Sequence, residues 1–412
     1  MTSPLGRIRV LDLSRDRPGQ FCSALLAALG ADVVVVGAPR DAANERGGAR
    51  HARRGDEARD GVEQMDPEYY RGPTSADISL LGQGKRSIRL DLARAEGREV
   101  FHRLAEWADV VLEGFRPGLM TRLGLGYETL SKRNPRLVYC AITSYGQDGP
   151  YRARAGHDIT ALGYAAVLEF IGEVDGPPVL PGVQIADIGG GALMAVLGIL
   201  SALFARTQTG RGQLVDISTL DGSLIFNVYQ HLLMTLKGTP QGRARTWLTG
   251  DNPCYSVYET GDGRHVTVGA FEPHFWATLC RHFGREDFID EQWAVGEKRE
   301  EIFAFFRARF RERTRDEWVG ELADQEICFG PVNSVAEALA DPQLRHRGMI
   351  AERSTPAGPQ VLLGCPIKLS DAPRATRGPA PRLGEHTEEL LREAGLDAAA
   401  IARLRAAGVV DR

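Results

Sequence analysis

Apolar residues recur in short runs through the first 145 residues, and amphipathic stretches separate these runs. Period-two alternation and β-branched runs are typical of strands, whereas apolar residues spaced by three and four are typical of helices. A strand, a helix and a second strand in close succession form a βαβ unit, which implies a parallel sheet. The fold class expected is therefore α/β, with a Rossmann-like sheet. The pattern predicts strands over 7–13, 32–36, 85–92, 109–113 and 137–142, and helices over 21–29 and 94–107.

The pattern changes beyond residue 237, where a stretch rich in glycine precedes a hairpin-like alternation and a group of helices. This change predicts a second, smaller domain of α+β type. We expect a large domain over 1–222, a connection over 223–252, the small domain over 253–330, and a return segment over 331–412 that completes the large domain. The elements predicted here are strands over 214–219 and 361–367, a hairpin over 255–270, and helices over 221–236, 274–326 and 387–407.

Composition narrows the class of protein. The chain has 412 residues, 43% of them hydrophobic and 25% charged, with a net charge of −4. This balance is ordinary for a globular protein and gives no reason to expect nucleic acid as a partner. The N-terminal residues lack the apolar core of a signal peptide, and the apolar run 192–205 is too short to insert in a membrane. Six scattered cysteines without metal-ligand spacing favour a cytoplasmic protein that binds no metal.

The stretch from 156 to 191 combines ionisable residues with glycines. We expect a loop that carries His157 and Asp158, a short strand that ends at Asp187, and a buried helix over 192–205. Glycines 189–191 would form a tight turn, and the dipole of the following helix could stabilise an oxygen that gains charge. Each feature also has a structural explanation, because an aspartate before a helix is first of all an N-cap. The combination favours an active site.

Seven short motifs are spread over nearly the whole chain. They are Gly-x-Gly-Lys-Arg-Ser (82–87), Glu-Gly-Phe-Arg-Pro-Gly (113–118), Gly-Gln-Asp-Gly-Pro (146–150), Gly-His-Asp-Ile (156–159), Asp187 with its glycines, Gly-x-Gly-Gln-x-Val-Asp (210–216) and Leu-Gly-Glu-His-Thr (383–387). Together they resemble the family III CoA-transferases and, within that superfamily, the α-methylacyl-CoA racemase branch. The resemblance implies an acyl-CoA substrate, no covalently bound cofactor, and an interlocked homodimer of two-domain subunits.

The resemblance also implies roles for four residues. In the racemase branch, Asp187 would act as an acid and base opposite His157. Asp158, which follows the histidine, and Glu272, which would orient it from the partner subunit, are racemase-like marks. Racemisation next to a thioester removes a proton from one face and returns it on the other, through an enolate. The expected function is inversion at the 2-position of a 2-methyl-branched acyl-CoA.

CoA would be bound by residues that follow strands of the sheet, where phosphate groups usually bind. The expected binding residues are Arg40, Lys85, Arg86, Phe115, Arg116 and Pro117. The alternative for the cations is that they are solvated surface charges. Residue 37 and the long loop over 41–78 depart from the family pattern, so the contacts of CoA there stay open.

Two other functions compete with racemisation. The chain could be a CoA-transferase in which Asp187 is the nucleophile that becomes an acyl-CoA intermediate. It could also bind acyl-CoA without catalysis, although the presence of the ionisable residues argues against this. Steroid side chains, branched fatty acids and polyketide-like acids all remain open as the acyl group.

Overall fold

The computed structural model describes residues 3–38, 81–239, 242–355, 358–371 and 378–411. Arg40 and the loop over 41–78 lie outside the described residues.

A parallel sheet of six strands forms the centre of the fold, with strand order β3-β2-β1-β4-β5-β6. Every neighbouring pair of these strands is parallel. Strands buried on both faces are rich in β-branched residues, as the run of four valines in β2 shows. The α/β prediction is confirmed. The strands are β1 Arg9–Asp12, β2 Asp32–Gly37, β3 Arg86–Arg89, β4 Val110–Glu113, β5 Val138–Thr143 and β6 Leu214–Ser218.

Alternation along each strand divides the core between the two faces of the sheet. In β4, Val110 and Leu112 face one hydrophobic cluster, whereas Val111 faces the other. The other strands and the helices that cover the two faces supply the remaining members of these clusters. These and the adjoining helices are Arg17–Ala28, Ala95–Trp107, Leu119–Arg122, Tyr127–Arg133, Asp158–Tyr164, Met194–Thr209 and Thr219–Leu224.

The chain divides into two compact units. The first unit comprises 1–165, 182–226 and 348–412, and the second comprises 166–181 and 227–347. The second unit contains an antiparallel sheet in the order β7-β8-β9, and its core is aromatic, with Tyr258, Trp276, Phe306 and Trp318 fully buried. Its elements are β7 Tyr255–Glu259, β8 His265–Gly269, β9 Phe329–Pro331, and the helices Val228–Lys237, Pro273–His282, Gly296–Phe310, Arg315–Leu322, Val335–Ala340 and Pro342–His346.

The C-terminal part of the first unit begins with a hairpin, β10 Ile350–Thr355 and β11 Gly358–Leu363. The single helix predicted over 387–407 is wrong. Two helices, Thr387–Glu393 and Ala398–Ala406, are separated at Gly395, whose positive φ of 81° ends the first helix.

The same C-terminal part covers the edge of the parallel sheet. The backbone N–H of Ser87 in β3 donates to His386 Nδ1, and the backbone N–H of His386 donates to the Ser87 carbonyl at 2.9 Å. Arg86 pairs with Glu389 and Glu393 of the helix that follows. Edge strand β3 therefore has partners for its outward backbone groups.

By length and composition alone, one described helical stretch, Ile185–Thr209, could cross a membrane. Ala195, Ile199 and Ala202 of this stretch lie in the core beneath the parallel sheet. A core helix meets the same criterion of length and composition, so the criterion carries little weight here.

Candidate active site

Asp187 lies in a π-helix, Ile185–Leu193, that continues directly into the helix Met194–Thr209. The prediction of a strand ending at Asp187 is therefore wrong. The predicted tight turn at glycines 189–191 is also wrong, because all three lie within the π-helix and none has a positive φ. Wide turns of this kind occur frequently at functional sites.

The glycines of the π-helix have a packing role instead. A Cβ added to Gly190 would lie 2.8 Å from both the Ser223 hydroxyl and the Thr219 carbonyl oxygen. A Cβ on Gly222 would lie 2.0 Å from the Gly190 carbonyl oxygen. The π-helix and the helix Thr219–Leu224 thus approach so closely that neither position has room for a side chain. This contact fixes the depth at which Asp187 sits.

Asp158 is bonded to the segment that carries Asp187. The backbone N–H of Asp187 donates to Asp158 Oδ1 at 2.8 Å. Asp158 is the first residue of the helix Asp158–Tyr164, and His157 is its N-cap. The structure therefore joins two of the predicted site segments, although 29 residues separate them in the chain.

His157 presents an exposed side chain beside this bond. Its backbone N–H donates to the Thr160 hydroxyl at 2.9 Å, and that hydroxyl donates back to the His157 carbonyl at 2.8 Å. The backbone is thus held by the first turn of the helix, and the imidazole is not required for capping.

The environment of Asp187 favours its neutral form. Burial, and next the charge of Asp158, raise the pKa of this carboxyl group to about 6, although His157 lowers it. A carboxyl group with this pKa exchanges a proton readily near neutral pH. Asp187 can therefore serve both as acid and as base.

Two residues near Asp187 were not singled out from the sequence. Asp16 raises the pKa of Asp187 and Arg17 lowers it, and both lie where β1 connects to the helix Arg17–Ala28. A Cβ on Gly191 would lie 3.2 Å from the Pro18 Cβ, which shows how close this connection comes to the π-helix. Their position after the first strand could have identified them from the sequence, because ligands bind at the carboxyl edge of a parallel sheet.

Glu272 belongs to the second unit, whereas His157, Asp158 and Asp187 belong to the first. It is exposed and is the N-cap of the helix Pro273–His282, so Pro273 is the first helical residue as predicted. The pairing of Glu272 with His157 of a partner subunit stays a prediction.

The loop after β4 carries the Phe115-Arg116-Pro117 motif. Arg116 is exposed, and among the residues that the structure describes no carboxylate pairs with it. The Arg15 guanidinium lies 5.6 Å from the centre of the Phe115 ring. Gly118 has a φ of 85°, and the Leu119 N–H donates to the Arg116 carbonyl at 3.1 Å, so the loop closes as a turn.

Lys85 and Arg86 have structural partners. Lys85 is buried, with its ammonium 3.5 Å from Asp12 and 2.6 Å from the Ser23 hydroxyl. Arg86 forms ion pairs with Asp32 at 2.6 Å and with the two glutamates of the C-terminal helix. These contacts favour a structural role over phosphate binding, and the prediction that both residues bind CoA stays untested. Arg40 lies outside the described residues.

Within the described ranges, no group of three or more His, Cys, Asp or Glu side chains is arranged to hold a metal ion. The site brings together a carboxyl group whose pKa is raised to about 6, a second carboxylate that accepts the backbone N–H of the first, and an exposed histidine.

A parallel α/β sheet with acid and base groups near its carboxyl edge is typical of an enzyme. Comparison of the chain with known proteins identifies the family. The model of CoA-transferase family III matches residues 5–387. The chain belongs to CoA-transferase family III, as the sequence motifs predicted.

The relatives carry two kinds of name. The chain is 34% identical to an acyl-CoA transferase from Fusarium pseudograminearum, over 98% of this chain and 87% of the relative. It is 33% identical to the α-methylacyl-CoA racemase of Homo sapiens, over 98% of this chain and 97% of the relative. Among solved structures, a CaiB/BaiF family protein from Brucella suis matches with a TM-score of 0.76 and 31% identity, over 96% of this chain and all of the other.

Proposed function

We propose that the protein is an acyl-CoA racemase that inverts the 2-position of a 2-methyl-branched acyl-CoA. The observation that carries the proposal is the raised pKa of Asp187, about 6, beside Asp158 and His157. With that pKa, a protonated fraction on the order of a tenth is present at pH 7. A two-base racemase needs such a group, because each base must be able to return a proton as well as remove one.

In the proposed mechanism one base breaks the C2–H bond, and the electron pair moves toward the thioester oxygen as an enolate. The other group then forms a new C2–H bond on the opposite face, and the thioester is retained. His157 and Asp187 occupy the two roles, in either order. The backbone N–H groups of Asp158 and Ile159 are the proposed donors to the enolate oxygen, because the first N–H groups of a helix lack an intrahelical acceptor.

Substrate binding is proposed for the loop after β4. Arg116 follows a central strand at the edge of the sheet where ligands of doubly wound folds bind. A guanidinium in a short, closed loop suits the diphosphate of CoA. Phe115 and Pro117 would limit the movement of that loop.

We also propose that two chains form a homodimer, in which Glu272 of one chain orients His157 of the other. An exposed apolar stripe on the first unit supports association of two copies. Leu193, Leu197 and Phe204 share one helix face by their spacing, and Phe204 is 67% exposed. Replacing Phe204 with Asp should convert the dimer to a monomer in analytical ultracentrifugation. A wild-type chain that sediments as a monomer would refute the dimer.

Transfer of CoA between carboxylic acids is the second candidate, because the relative from Fusarium is named a transferase. Here the Asp187 carboxylate would attack the thioester carbonyl and expel the CoA thiolate, which gives a mixed anhydride. The thiolate would then attack the Asp187 carbonyl, release the carboxylic acid and leave an aspartyl-CoA thioester. A nucleophilic carboxylate must be ionised, and a pKa of about 6 leaves most of Asp187 ionised at pH 7, so this pKa suits a nucleophile as well as an acid and base. Asp158 and Glu272, the racemase-like marks of the sequence, favour proton transfer over CoA transfer.

Incubation of the wild-type protein with (2R)-2-methylacyl-CoA in deuterium oxide separates the two functions. The expected result is deuterium at C2 and loss of optical purity, measured by mass spectrometry and chiral chromatography, with no CoA passed to an added carboxylate. His157→Ala should retain exchange at one face and lose inversion. CoA transfer, a hydroxylamine-sensitive adduct at Asp187 and no exchange at C2 would instead establish a transferase.

A further inference from the structure

Glu113 is a buried carboxyl group for which the proposed mechanism has no use. It is the last residue of β4, a central strand, and only 5% of it is exposed. Charged side chains are rarely buried this deeply unless they have a specific partner. Its position at the carboxyl edge places it directly before the loop that carries Arg116.

The partner of Glu113 is that loop. Glu113 Oε2 accepts the backbone N–H of Phe115 at 2.7 Å, which is short for a bond of this type. The Tyr139 hydroxyl of β5 lies near enough to the Glu113 carboxylate to lower its pKa. The carboxylate therefore connects the body of the sheet to the residue immediately before Arg116.

A second carboxylate, Asp216 of β6, accepts a loop N–H in the same way two strands away. Glu113 is in register with Ala141, and Ala141 is in register with Asp216 of β6, so the two acids share one face of the sheet, about 10 Å apart. The two oxygens of Asp216 accept the Gln147 N–H at 3.2 and 3.0 Å. Each acid thus holds the first residues of a loop at the carboxyl edge.

We propose that Glu113 is a positioning residue for CoA, whose carboxylate fixes the turn at Phe115 and thereby holds the Arg116 guanidinium toward the bound phosphates. Gly114, between Glu113 and Phe115, contributes no side chain to this turn. A Cβ at Gly114 would make only ordinary contacts, at 3.7 Å to the Ile142 carbonyl and 3.9 Å to the Ser14 Cβ. The proposal depends on acyl-CoA binding, which both candidate functions share.

Protonation of Glu113 should also change how firmly the loop is held. Burial, and next the charge of Asp216, raise its pKa to about 7, whereas the bonds from Phe115 and Tyr139 lower it. The titratable groups that interact with it are Tyr139 and Cys140 of β5 and Asp216 of β6. A carboxylate accepts an N–H more strongly than a neutral acid, so the loop should loosen as pH falls through about 7.

Calorimetry with CoA tests the positioning role. Glu113→Gln should weaken binding about tenfold, because a charge-assisted hydrogen bond becomes a neutral one. The KM for acyl-CoA should rise by a similar factor, with little change in kcat. In an Arg116→Ala background the same substitution should add almost nothing, since Glu113 acts through Arg116.

Asp109→Asn is the matched control. Asp109 lies at the opposite end of β4, where its carboxylate accepts the Arg9 N–H at 2.9 Å and pairs with Arg206 at 2.9 Å. It should lower the melting temperature without changing CoA affinity. Unchanged affinity in Glu113→Gln would overturn the proposal, as would an equal loss in the presence and absence of Arg116. Absence of CoA binding by the wild type would instead overturn the proposed function.

If Glu113→Gln does not fold, the pH dependence of binding by the wild type tests the same role. The probe is 3′-dephospho-CoA, which lacks the phosphate monoester that would itself titrate near neutrality. Wild-type affinity should fall as pH decreases through about 7. Tyr139→Phe removes a bond that lowers the pKa of Glu113, so this fall should begin at higher pH. If the pH of this fall does not change in Tyr139→Phe, another group controls it, and the assignment to Glu113 would be overturned.

Discussion

The pKa values of carboxyl groups near the carboxyl edge of the parallel sheet are raised, whereas those of carboxyl groups in the second unit are lowered. Burial raises the pKa of Glu113 to about 7 and that of Asp187 to about 6, and it also raises the pKa of Asp216. In the second unit, bonds from arginine lower the pKa of Glu259 and of Glu337. The two regions therefore use the same side chains for different purposes.

The cause of the difference is the presence of a cationic partner. Glu337 pairs with Arg315 at 2.7 Å and also with Arg264, so its charge is compensated in the folded protein. Asp187 instead has a second acid, Asp158, within its electrostatic reach. A carboxylate bonded to arginine stabilises a fold, whereas a buried acid beside a second acid can exchange a proton near neutral pH. The comparison separates the acids of raised pKa near the sheet edge from the acids that arginine keeps ionised.

The largest expected effect is on catalysis at Asp187. Asp187→Asn should lower kcat for racemisation by about 10²–10⁴-fold, because an amide cannot transfer the proton on that face. Steady-state kinetics from optical rotation measure the loss, with circular dichroism to show that the fold persists. Glu259→Gln, in the second unit, is the matched acid-to-amide control and should leave kcat unchanged. A similar kcat in Asp187→Asn would end its role as an acid and base.

The next effect concerns stability against pH. The folded pKa of Glu113 lies above its ordinary value of 4.5. Its contribution to stability is therefore fully present below about pH 4.5 and is lost as pH rises through about 7. The loss is on the order of 3 kcal/mol. Urea unfolding should show that Glu113→Gln is less dependent on pH than the wild type over this window.

The contribution of Glu337 to stability changes with pH in the opposite direction. Its folded pKa lies below the ordinary value of 4.5, so its contribution is present above that pH and is lost as pH falls further. Glu337→Gln should therefore reduce the loss of stability in acid and leave the slope between pH 4.5 and 7 unchanged. Identical pH profiles for the two variants would mean that the two regions do not differ as described.

The smallest effects come from a pair of glycines. Gly190→Ala places a methyl group 2.8 Å from Ser223 and Thr219, and overpacking of this kind costs about 1–3 kcal/mol. Gly320 lies in the helix Arg315–Leu322 with open space around it, so Gly320→Ala should stabilise by about 0.5–1 kcal/mol. Thermal unfolding measures both changes. Equal shifts in the two variants would show that the close contact at Gly190 is unimportant.

The sequence predicted the sheet because its signals are local. The valine run of β2 and the alternation in β4 specify strands whatever lies elsewhere in the chain. The π-helix at Asp187 was missed because three successive glycines disfavour a helix by local propensity. The contacts that overrule this preference come from Thr219 and Ser223, about thirty residues later.

For the candidate site too, the sequence predicted some residues and missed the contacts that only the folded chain makes. The motifs identified His157, Asp158 and Asp187, and the structure joins the backbone of Asp187 to Asp158. Patterns of charge could not show that Lys85 is buried against Asp12, because 73 residues separate the two. Glu113 was visible only as the end of a strand and the first residue of the motif 113–118, since its burial and its bond to Phe115 are properties of the folded chain.

The cover over β3 has a consequence for the order of events during synthesis. The residues that satisfy the outward groups of Ser87 lie near 386, about 300 positions later in the chain. Until the ribosome has released them, a nascent chain holds an edge strand with unpaired N–H and C=O groups. Such an edge can pair with a strand of another chain, so a nascent polypeptide halted before residue 384 should depend on chaperones far more than the finished one.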